Sequence, residues 1–597
     1  MAFAESESLG VAVEDGIAAD PGAGRYEILD GRMTPQDVGE TVRAVLRGEG
    51  VPLRDLSEPE PEPKPEPEQE REPEPGGYLI DLDGTLVRLR SRQIADAAPD
   101  TLGPIDPPAC RTQVLLAAAG PLSERAEAVF DRLVEALTLR GRCYTAAEID
   151  SIVAGMPLVA RYATEEPALR DWALIFRDHY VENSVGFLLG MERAGIDREW
   201  IFALNKGDRT LHRDRVHAWF LRRGYQSDTL DNSVINGSAD TAARAYAMAV
   251  NERVDEFVRR AHTAGRKVVV VDDGGLLAQG YGADGVLDER IDGALELTVS
   301  GLKRIAGAPG QLTIPVLNMA RSRLKSMLGY NEIADSCVRR LRAVLPGEKF
   351  IGRHVLLLGY GTLGARVAHA LRALGCRVAV VDTDILALIT AAEHGYETYT
   401  SAGEALNAHT PFLIIGNTGE LALTHDDLPL LPDGVYLAGF ATKDFSLLSE
   451  GFEGLRSTAI PHVGVRYTLP TGTTATLLGD GRSLNLFEYE GIANRGYDAY
   501  RAGTLIAAKT LCREVGRLGP GIHLEPVDRA IDEAGLFSAY YEEYLASGTR
   551  RRPIPPADAV SLIPPAEAAS PATPADAVSP ATPADAVRPA TPAPVAR

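Results

Sequence analysis

Apolar residues fall along this chain in two rhythms. Unbroken apolar runs at Lys267-Val-Val-Val-Val271, Val355-Leu-Leu-Leu358, Arg377-Val-Ala-Val-Val381, Phe412-Leu-Ile-Ile-Gly416 and Val435-Tyr-Leu-Ala-Gly439 predict fully buried strands. Leu363, Val367, Leu371 and Leu374 recur at helical spacing and predict a helix between two of those strands. Asn251–Ala264 reads as an amphipathic helix, and Ala163–Met191, Arg213–Arg222 and Leu317–Leu345 also read as helical. Thr34–Leu46 predicts one short amphipathic helix, and residues 476–546 a short β pair followed by two helices. Alternation of this kind implies an α/β fold built on parallel sheets.

Two stretches break the rhythm. From 58 to 75 Glu alternates with Pro almost without interruption, which predicts an extended, solvated spacer. After about 550 the chain is Pro, Ala and Ser, and Ser570–Val578 is repeated at Ser579–Val587 with almost no bulky apolar group, which predicts a disordered tail.

Composition narrows the picture only slightly. The 597 residues are 45% hydrophobic and carry a net charge of −22, which fits a core-forming protein and disfavours nucleic-acid or anionic-membrane partners. The five cysteines are scattered without Cys-x-x-Cys pairs, so neither a disulfide framework nor a zinc site is expected, and no metal is assigned. No apolar run approaches 18 residues and the first residues lack a basic, then apolar leader, so a cytoplasmic location is expected.

The sharpest chemical signal is Gly359-Tyr-Gly361-Thr362-Leu363-Gly364 between a predicted strand and helix, with Asp382 closing the next strand. Gly359 permits a tight turn, Gly361 lets backbone approach a pyrophosphate, and Gly364 lets helix pack on strand. The helix start offers unpaired N–H groups to phosphates. A carboxylate at Asp382 suits a ribose 2′-OH and repels a 2′-phosphate, so NAD is expected in preference to NADP. Asn417, Thr418 and Gly419 follow another strand at the edge where ligands of open α/β sheets bind.

Residues 145–545, taken in order, resemble S-adenosylhomocysteine hydrolase. The resemblance is carried by Met156-Pro157, the region His179–Val185, Asp272-Asp273-Gly274-Gly275, Leu297-Thr298-Val-Ser300-Gly301, Pro315–Asn318, Leu328–Glu332, the glycine motif, Asn417-Thr418-Gly419, and Asn485 after Gly481-Arg482. It implies a Rossmann NAD-binding domain inserted in a second α/β, substrate-binding domain, and adds Thr298, Ser300 and Asn485 to the expected cofactor residues. It also implies a substrate site in which NAD oxidises a ribose hydroxyl and a base then removes an acidified proton. There this chain departs from the family: Asp178 stands where the family has His, with His179 next to it, and Leu297 stands for Glu. Arg321, Lys325 and Ser326 fall near a Lys, Asp and Asn triplet, Phe440 replaces a His, and Ile492-Ala493-Asn494 replaces His-Pro-Ser. Arg cannot serve as the proton acceptor that Lys provides.

Asp273, Lys325 and His179 remain as candidate catalytic residues, Asp273 as a base or hydroxyl-orienting group whose pKa burial would raise. Arg321, Lys325 and Arg495 would hold an anionic group. Three functions stay open: NAD-dependent oxidation of a hydroxyl on a nucleoside-like or other small substrate, a catalytically inactive NAD-binding protein with a regulatory role, and hydrolysis of S-adenosylhomocysteine itself. A homo-oligomer is possible on any of them.

A second, shorter resemblance is Tyr78-Leu-Ile-Asp81-Leu-Asp83-Gly-Thr, which looks like the first motif of haloacid-dehalogenase-type phosphatases; an Asp- and Gly-rich turn after a strand is the competing reading. The expected organisation is an N-terminal extension (1–57), a Glu/Pro linker (58–77), a short segment that is not an independent enzyme (78–144), the substrate-type domain (145–345), the Rossmann domain (346–500), C-terminal helices returning to the substrate domain (501–548) and the tail (549–597).

Overall fold

A computed structural model describes residues 25–33, 35–51, 53–55, 77–94, 111–144, 146–231, 241–275, 291–307, 312–441 and 443–546. The Glu/Pro run and the repeated tail lie outside the described residues.

The first sheet is a small antiparallel one. Its strands are β1 (Tyr26–Arg32), β2 (Leu53–Asp55), β3 (Gly77–Leu82), β4 (Thr85–Ile94) and β5 (Arg111–Ala118), in the order β1-β5-β4-β3-β2. Helices α1 (Pro35–Gly48) and α2 (Glu124–Arg142) cover one face, with Val38, Val42 and Leu46 packed among Val87, Leu89, Leu116, Phe130 and Leu133. The predicted helix at 34–46 is therefore α1, but the extension and linker assignments need correction. β1 and β2 belong to the same sheet as β3–β5, and the Glu/Pro run joins β2 to its antiparallel neighbour β3 rather than one domain to another. Charge and Pro content carry no information on what the strands at its two ends pair with.

The Asp-x-Asp-Gly-Thr stretch is the β3–β4 hairpin. Leu82 pairs with Thr85 across a two-residue turn in which Asp83 has φ 52° and Gly84 φ 88°, the positive values that a type I′ turn requires. Asp81 accepts the Gly84 N–H at 2.8 Å, and Asp83 accepts from Ser123 Oγ at 2.9 Å at the start of α2. Both carboxylates serve the turn, on antiparallel strands, so turn chemistry accounts for the motif.

The remaining chain forms two larger layered units. Helices α3 (Ala146–Ala154) and α4 (Pro157–Tyr162) lead into β6 (Trp172–Asp178), α5 (Glu182–Ala194), β7 (Ile201–Asn205), α6 (Arg213–Arg223) and β8 (Gln226–Thr229). Next come α7 (Thr241–Thr263), β9 (Lys267–Asp272), β10 (Gly293–Glu296), α8 (Val299–Gly307), β11 (Pro315–Asn318) and α9 (Tyr330–Val344). The second unit runs β12 (His354–Leu358), α10 (Thr362–Ala373), β13 (Arg377–Val381), α11 (Ile385–Glu393), β14 (Glu397–Tyr399) and α12 (Ala402–Ala408). It continues with β15 (Leu413–Gly416), β16 (Val435–Gly439), α13 (Ser446–Glu450), β17 (Arg456–Ile460), β18 (Gly464–Thr468) and β19 (Thr474–Leu478). The chain then returns through α14 (Asn494–Glu514), β20 (Gly521–His523), α15 (Glu525–Glu533) and α16 (Leu536–Tyr540).

The sheet of the first unit has the order β20-β11-β10-β9-β6-β7-β8, all parallel, and that of the second the order β14-β13-β12-β15-β16-β19-β18-β17, with an antiparallel β17–β18–β19 edge. β20, far along the chain, pairs with β11, and Asp498 of α14 accepts the backbone N–H groups of Leu158 and Val159 at 2.8 Å. The second unit is thus inserted into the first, as expected, but the boundary at 500 falls inside α14, which belongs to the first unit from Asn494 onward.

Three local expectations fail for identifiable reasons. Within Ala163–Met191, Trp172–Asp178 is a strand buried along its whole length, and helix begins only at Glu182. A short apolar run buried on both faces has no period to separate strand from helix. Thr474–Leu478 is a member of the large sheet, pairing with both β16 and β18, because its partner Gly464–Thr468 is too polar to read as a strand. Similarly, Pro315–Asn318 is a strand, so the helix predicted from 317 is regular only from Tyr330, after a π-helical turn at Lys325–Gly329. Among the described residues no helix is long and apolar enough to cross a membrane, and Cys143, Cys337, Cys376 and Cys512 are buried and unpaired.

Candidate active site

The glycine turn separates what the fold needs from what it leaves open. A Cβ on Gly364 would lie 2.0 Å from the Gly359 carbonyl oxygen, and one on Gly359 would lie 3.1 Å from the Asn417 backbone in a residue already at φ 95°. Gly361 is different: a Cβ there meets nothing within 4 Å. Packing requires the outer glycines, whereas the middle one keeps open the face from which a ligand would approach. Gly361 also caps α10 without a side-chain bond, leaving the N–H groups of its first turn, which begins Thr362-Leu363, available.

Asp382 braces this turn. One oxygen accepts the Tyr360 N–H at 2.6 Å and the other the Asp384 N–H at 2.9 Å. Next to it, at the end of β15, both amide atoms of Asn417 are buried without a partner. Thr418 and Gly419 are held by a residue the sequence did not mark, Asp444. Its Oδ1 accepts from Thr418 N (2.8 Å), Thr418 Oγ1 (2.6 Å) and Gly419 N (3.2 Å), while Oδ2 is buried and unpartnered. Burial pushes this carboxyl up to about 6, against the pull of those donors. Asn485 sits in the turn after β19, giving its amide to Ser336 Oγ at 3.3 Å and accepting from Ser483 Oγ at 2.7 Å.

The C-terminal edge of the other sheet carries the charged cluster. Asp178 ends β6 and accepts Arg501 from α14 at 2.6 Å; His179 follows it. His179 Nδ1 lies 2.5 Å from Asp208 Oδ2, and its Nε2 lies 4.0 Å from Asp273. Lys206, just past β7, pairs with Asp273, and Arg177 pairs with Asp272 at 3.2 Å. Lys325 donates to the Leu297 carbonyl, and Glu296 accepts from Thr298 N and Oγ1, each at 2.7 Å. Ser300 is exposed, its Oγ 3.3 Å from Thr298 Oγ1. The expected catalytic residues Asp273, Lys325 and His179 thus come together, while Thr298 and Ser300 sit on this sheet's edge rather than on that of the glycine turn.

Electrostatics reverses one expectation. Burial alone would raise Asp273, but Lys206, His179 and Lys325 together outweigh it and hold the carboxyl well below its ordinary value. Asp273 therefore stays ionised at neutral pH, able to orient a hydroxyl but a weak base for its proton. Asp208 is held low in the same way: burial is outweighed by His179, Lys206 and Arg482. Glu296 goes the other way, pushed up to about 8 by burial and by the charge of Asp272. Burial lowers Lys325, against the pull of Asp273, Asp178 and Glu296. Ligand atoms of Asp178, His179 and Asp273 lie within 4.8 Å of one another, a grouping that could hold a metal. Arg501 and Lys206 already neutralise its two carboxylates, so a dication would meet two fixed positive charges there.

The two edges meet at Arg482, in the turn after β19. It pairs with Asp231 at 2.7 Å, donates to the Lys206 carbonyl at 3.3 Å and lies 3.8 Å from Asp208. The sequence reading missed Lys206 and Asp208, although Ile201-Phe-Ala-Leu-Asn-Lys-Gly-Asp has the same apolar-run-then-turn form as the run before Asn417. It also passed over Glu296 in favour of Leu297. Arg501, mid-helix in α14, left no local signal.

The family description "S-adenosyl-L-homocysteine hydrolase, NAD binding domain" matches residues 330–491, a span that contains the glycine turn, Asp382, Asn417–Gly419 and Asn485. Over this span and beyond it the chain is distantly similar to proteins of the S-adenosylhomocysteine hydrolase family. It is 27% identical to an S-inosyl-L-homocysteine hydrolase from Methanopyrus kandleri over 45% of this chain and 65% of that one. It is 25% identical to an adenosylhomocysteinase from Gloeothece citriformis, over 44% and 61% of the two chains. The match thus spans somewhat under two-thirds of these family members. A dipicolinate synthase chain from Bacillus halodurans overlaps 57% of this chain and 99% of its own at 14% identity and a TM-score of 0.34, too low to carry an argument. The open Gly361 face, the uncapped start of α10 and the unpartnered Asn417 amide fit the family's cofactor, NAD.

Proposed function

We propose that the chain is an NAD-dependent oxidoreductase acting on a hydroxyl of a nucleoside-like or other small substrate. The observation that carries this reading is the Asp208–His179 pair, brought by Arg482 to the edge of the NAD-binding sheet. NAD, when bound, supplies a hydride acceptor. His179, its Nδ1 fixed by a buried carboxylate, presents Nε2 as the acceptor for the hydroxyl proton, the arrangement of an oriented general base. Ionised Asp273, held by Lys206, accepts a hydrogen bond from the same or a neighbouring hydroxyl. Lys325, buried beside it, can donate to the substrate oxygen. Gly359, Gly361 and Gly364 with the first turn of α10 would receive the pyrophosphate, Asp382 a ribose, and Asn417 and Thr418 the far half of the dinucleotide.

Phe440 and Ile492–Asn494 remove proton-handling groups that the family resemblance leads one to expect, and this is why oxidation is favoured over hydrolysis of S-adenosylhomocysteine. One observation supports an inactive NAD-binding protein instead: Asp273 and Lys325 are already satisfied, by Lys206 and by the Leu297 carbonyl. Mass spectrometry of small molecules released by heating purified protein separates the readings. NAD(H) accompanied by an oxidisable or oxidised second ligand supports the enzyme. NAD alone, unchanged by any added nucleoside, supports the inactive protein, and no dinucleotide refutes both.

A further inference from the structure

A groove of about 630 Å³ runs between α9 and α10. Of the glycine turn only Tyr360 lines it; Gly361, Asp382, Asn417 and Thr418 do not. Its floor is apolar, with Ala334, Val338 and Ala365, and Tyr396 stands at one side. Its charged lining is mostly cationic, with Arg339, Arg342, Arg366 and Arg372 beside one carboxylate, Asp335.

Of these, Arg339 is neutralised by Asp335 at 2.8 Å and Glu490 at 3.2 Å. The other three meet no carboxylate among the described residues. Arg366 is half-buried and donates to Asn331 Oδ1 at 2.6 Å, the Thr362 carbonyl at 2.8 Å and the Ser326 carbonyl. Arg372 donates to the His394 carbonyl at 2.6 Å and lies over the Tyr396 ring, 4.4 Å from its centroid. Arg342 is exposed and has no described partner. Three uncompensated guanidinium groups around one apolar groove stand out in a chain of net charge −22. Burial lowers the Arg366 pKa, the direction expected of a cation with no anion beside it.

We propose that this groove is a second ligand site, for a small organic anion carrying a phosphate or carboxylate group on an apolar or flat body. Its volume falls in the range of small-molecule sites. Planar guanidinium forks match phosphate and carboxylate oxygens in pairs. Tyr396 and the alanine floor would take the apolar part. An acidic chain that keeps three cations clustered over an apolar floor has a local field that attracts anions its overall charge repels.

The test uses the full chain, pre-equilibrated with NAD so that the dinucleotide turn is occupied, and inorganic pyrophosphate as the probe in isothermal titration calorimetry. Arg342→Gln removes a side chain with no described partner and leaves the fold intact; Arg342→Gln/Arg372→Gln removes two of the cations. The expected result is one pyrophosphate per chain, bound roughly tenfold more weakly by the single variant and beyond detection by the double variant. Arg353→Gln, outside the groove, serves as control and should bind as the wild type does. No heat with millimolar pyrophosphate, or equal binding by the double variant, overturns the proposal. So does a change in sedimenting mass of the double variant, which would make the groove a contact between two copies of the chain.

Discussion

Replacing Glu296 by Gln probes the charged cluster through a quantity that requires no substrate. Glu296 lies fully buried at the end of β10, its carboxyl raised from 4.5 to about 8 by burial and by the neighbouring Asp272 charge. In the folded protein it therefore holds its proton where the unfolded chain would lose it. Its contribution to stability is complete below the unfolded value and is lost as pH rises from 4.5 towards 8. At about 1.4 kcal/mol for each pH unit, the wild type should lose on the order of 3–5 kcal/mol across that window. Gln keeps the acceptor that holds Thr298 and Gly274 N–H and cannot ionise, so the variant should lose none of it. Asp208 and Asp273 act with the opposite sign, but only where pH falls through their ordinary range, so they do not enter above pH 5. The assay is urea unfolding at pH 5.5 and 8.5 followed by tryptophan fluorescence. The three tryptophans, Trp172, Trp200 and Trp219, all lie in the unit that carries Glu296. Relative to wild type, Glu296→Gln should gain stability at pH 8.5 by a few kcal/mol more than at pH 5.5. Parallel curves, or a gain at the lower pH, would refute a buried neutral carboxyl at this site.

Gly361→Val should abolish NAD binding by calorimetry while leaving the melting temperature within a degree or two, because its side chain enters open space; Gly364→Val should instead unfold the domain, with a Cβ 2.0 Å from a backbone oxygen. Asp382→Ser should narrow the preference for NAD over NADP, measured as the ratio of the two dissociation constants. Arg501→Met should cost about 3–5 kcal/mol by urea unfolding, since it strands Asp178 without its partner, and Asp178→Asn in the same chain should recover much of that loss. Deleting residues 1–55 should melt the N-terminal sheet, seen as loss of strand signal in circular dichroism, because it removes β1, α1 and the buried Val38, Val42 and Leu46; removing 552–597 should leave NAD affinity unchanged.

The Rossmann half was largely legible because its signals are local. Val355–Leu358, the three glycines and Asp382 fall within one strand–helix–strand unit, where each residue's role follows from its immediate neighbours. The half that carries the charged cluster is assembled from distant pieces. Arg501 reaches Asp178 across more than 300 positions, and Lys206 reaches Asp273 from a different strand, so neither pairing is present in any window of sequence. Burial of Asp273 was foreseen, but the sign of its pKa shift was not, because that sign depends on Lys206 and Lys325 arriving from elsewhere. The Asp83-Gly84 turn shows the converse: a motif shared with phosphatases is also what a tight hairpin requires, and only strand direction decides between them.

The most direct measurement of the proposed chemistry is the absorbance of the cofactor at about 340 nm when NAD-loaded protein meets a panel of nucleosides, nucleotides and their thioethers. The account predicts that at least one compound reduces the cofactor in the wild type and that His179→Gln abolishes the change while binding NAD as tightly. An unaltered cofactor across the panel, or a His179→Gln variant that reduces it as fast as the wild type, would contradict it.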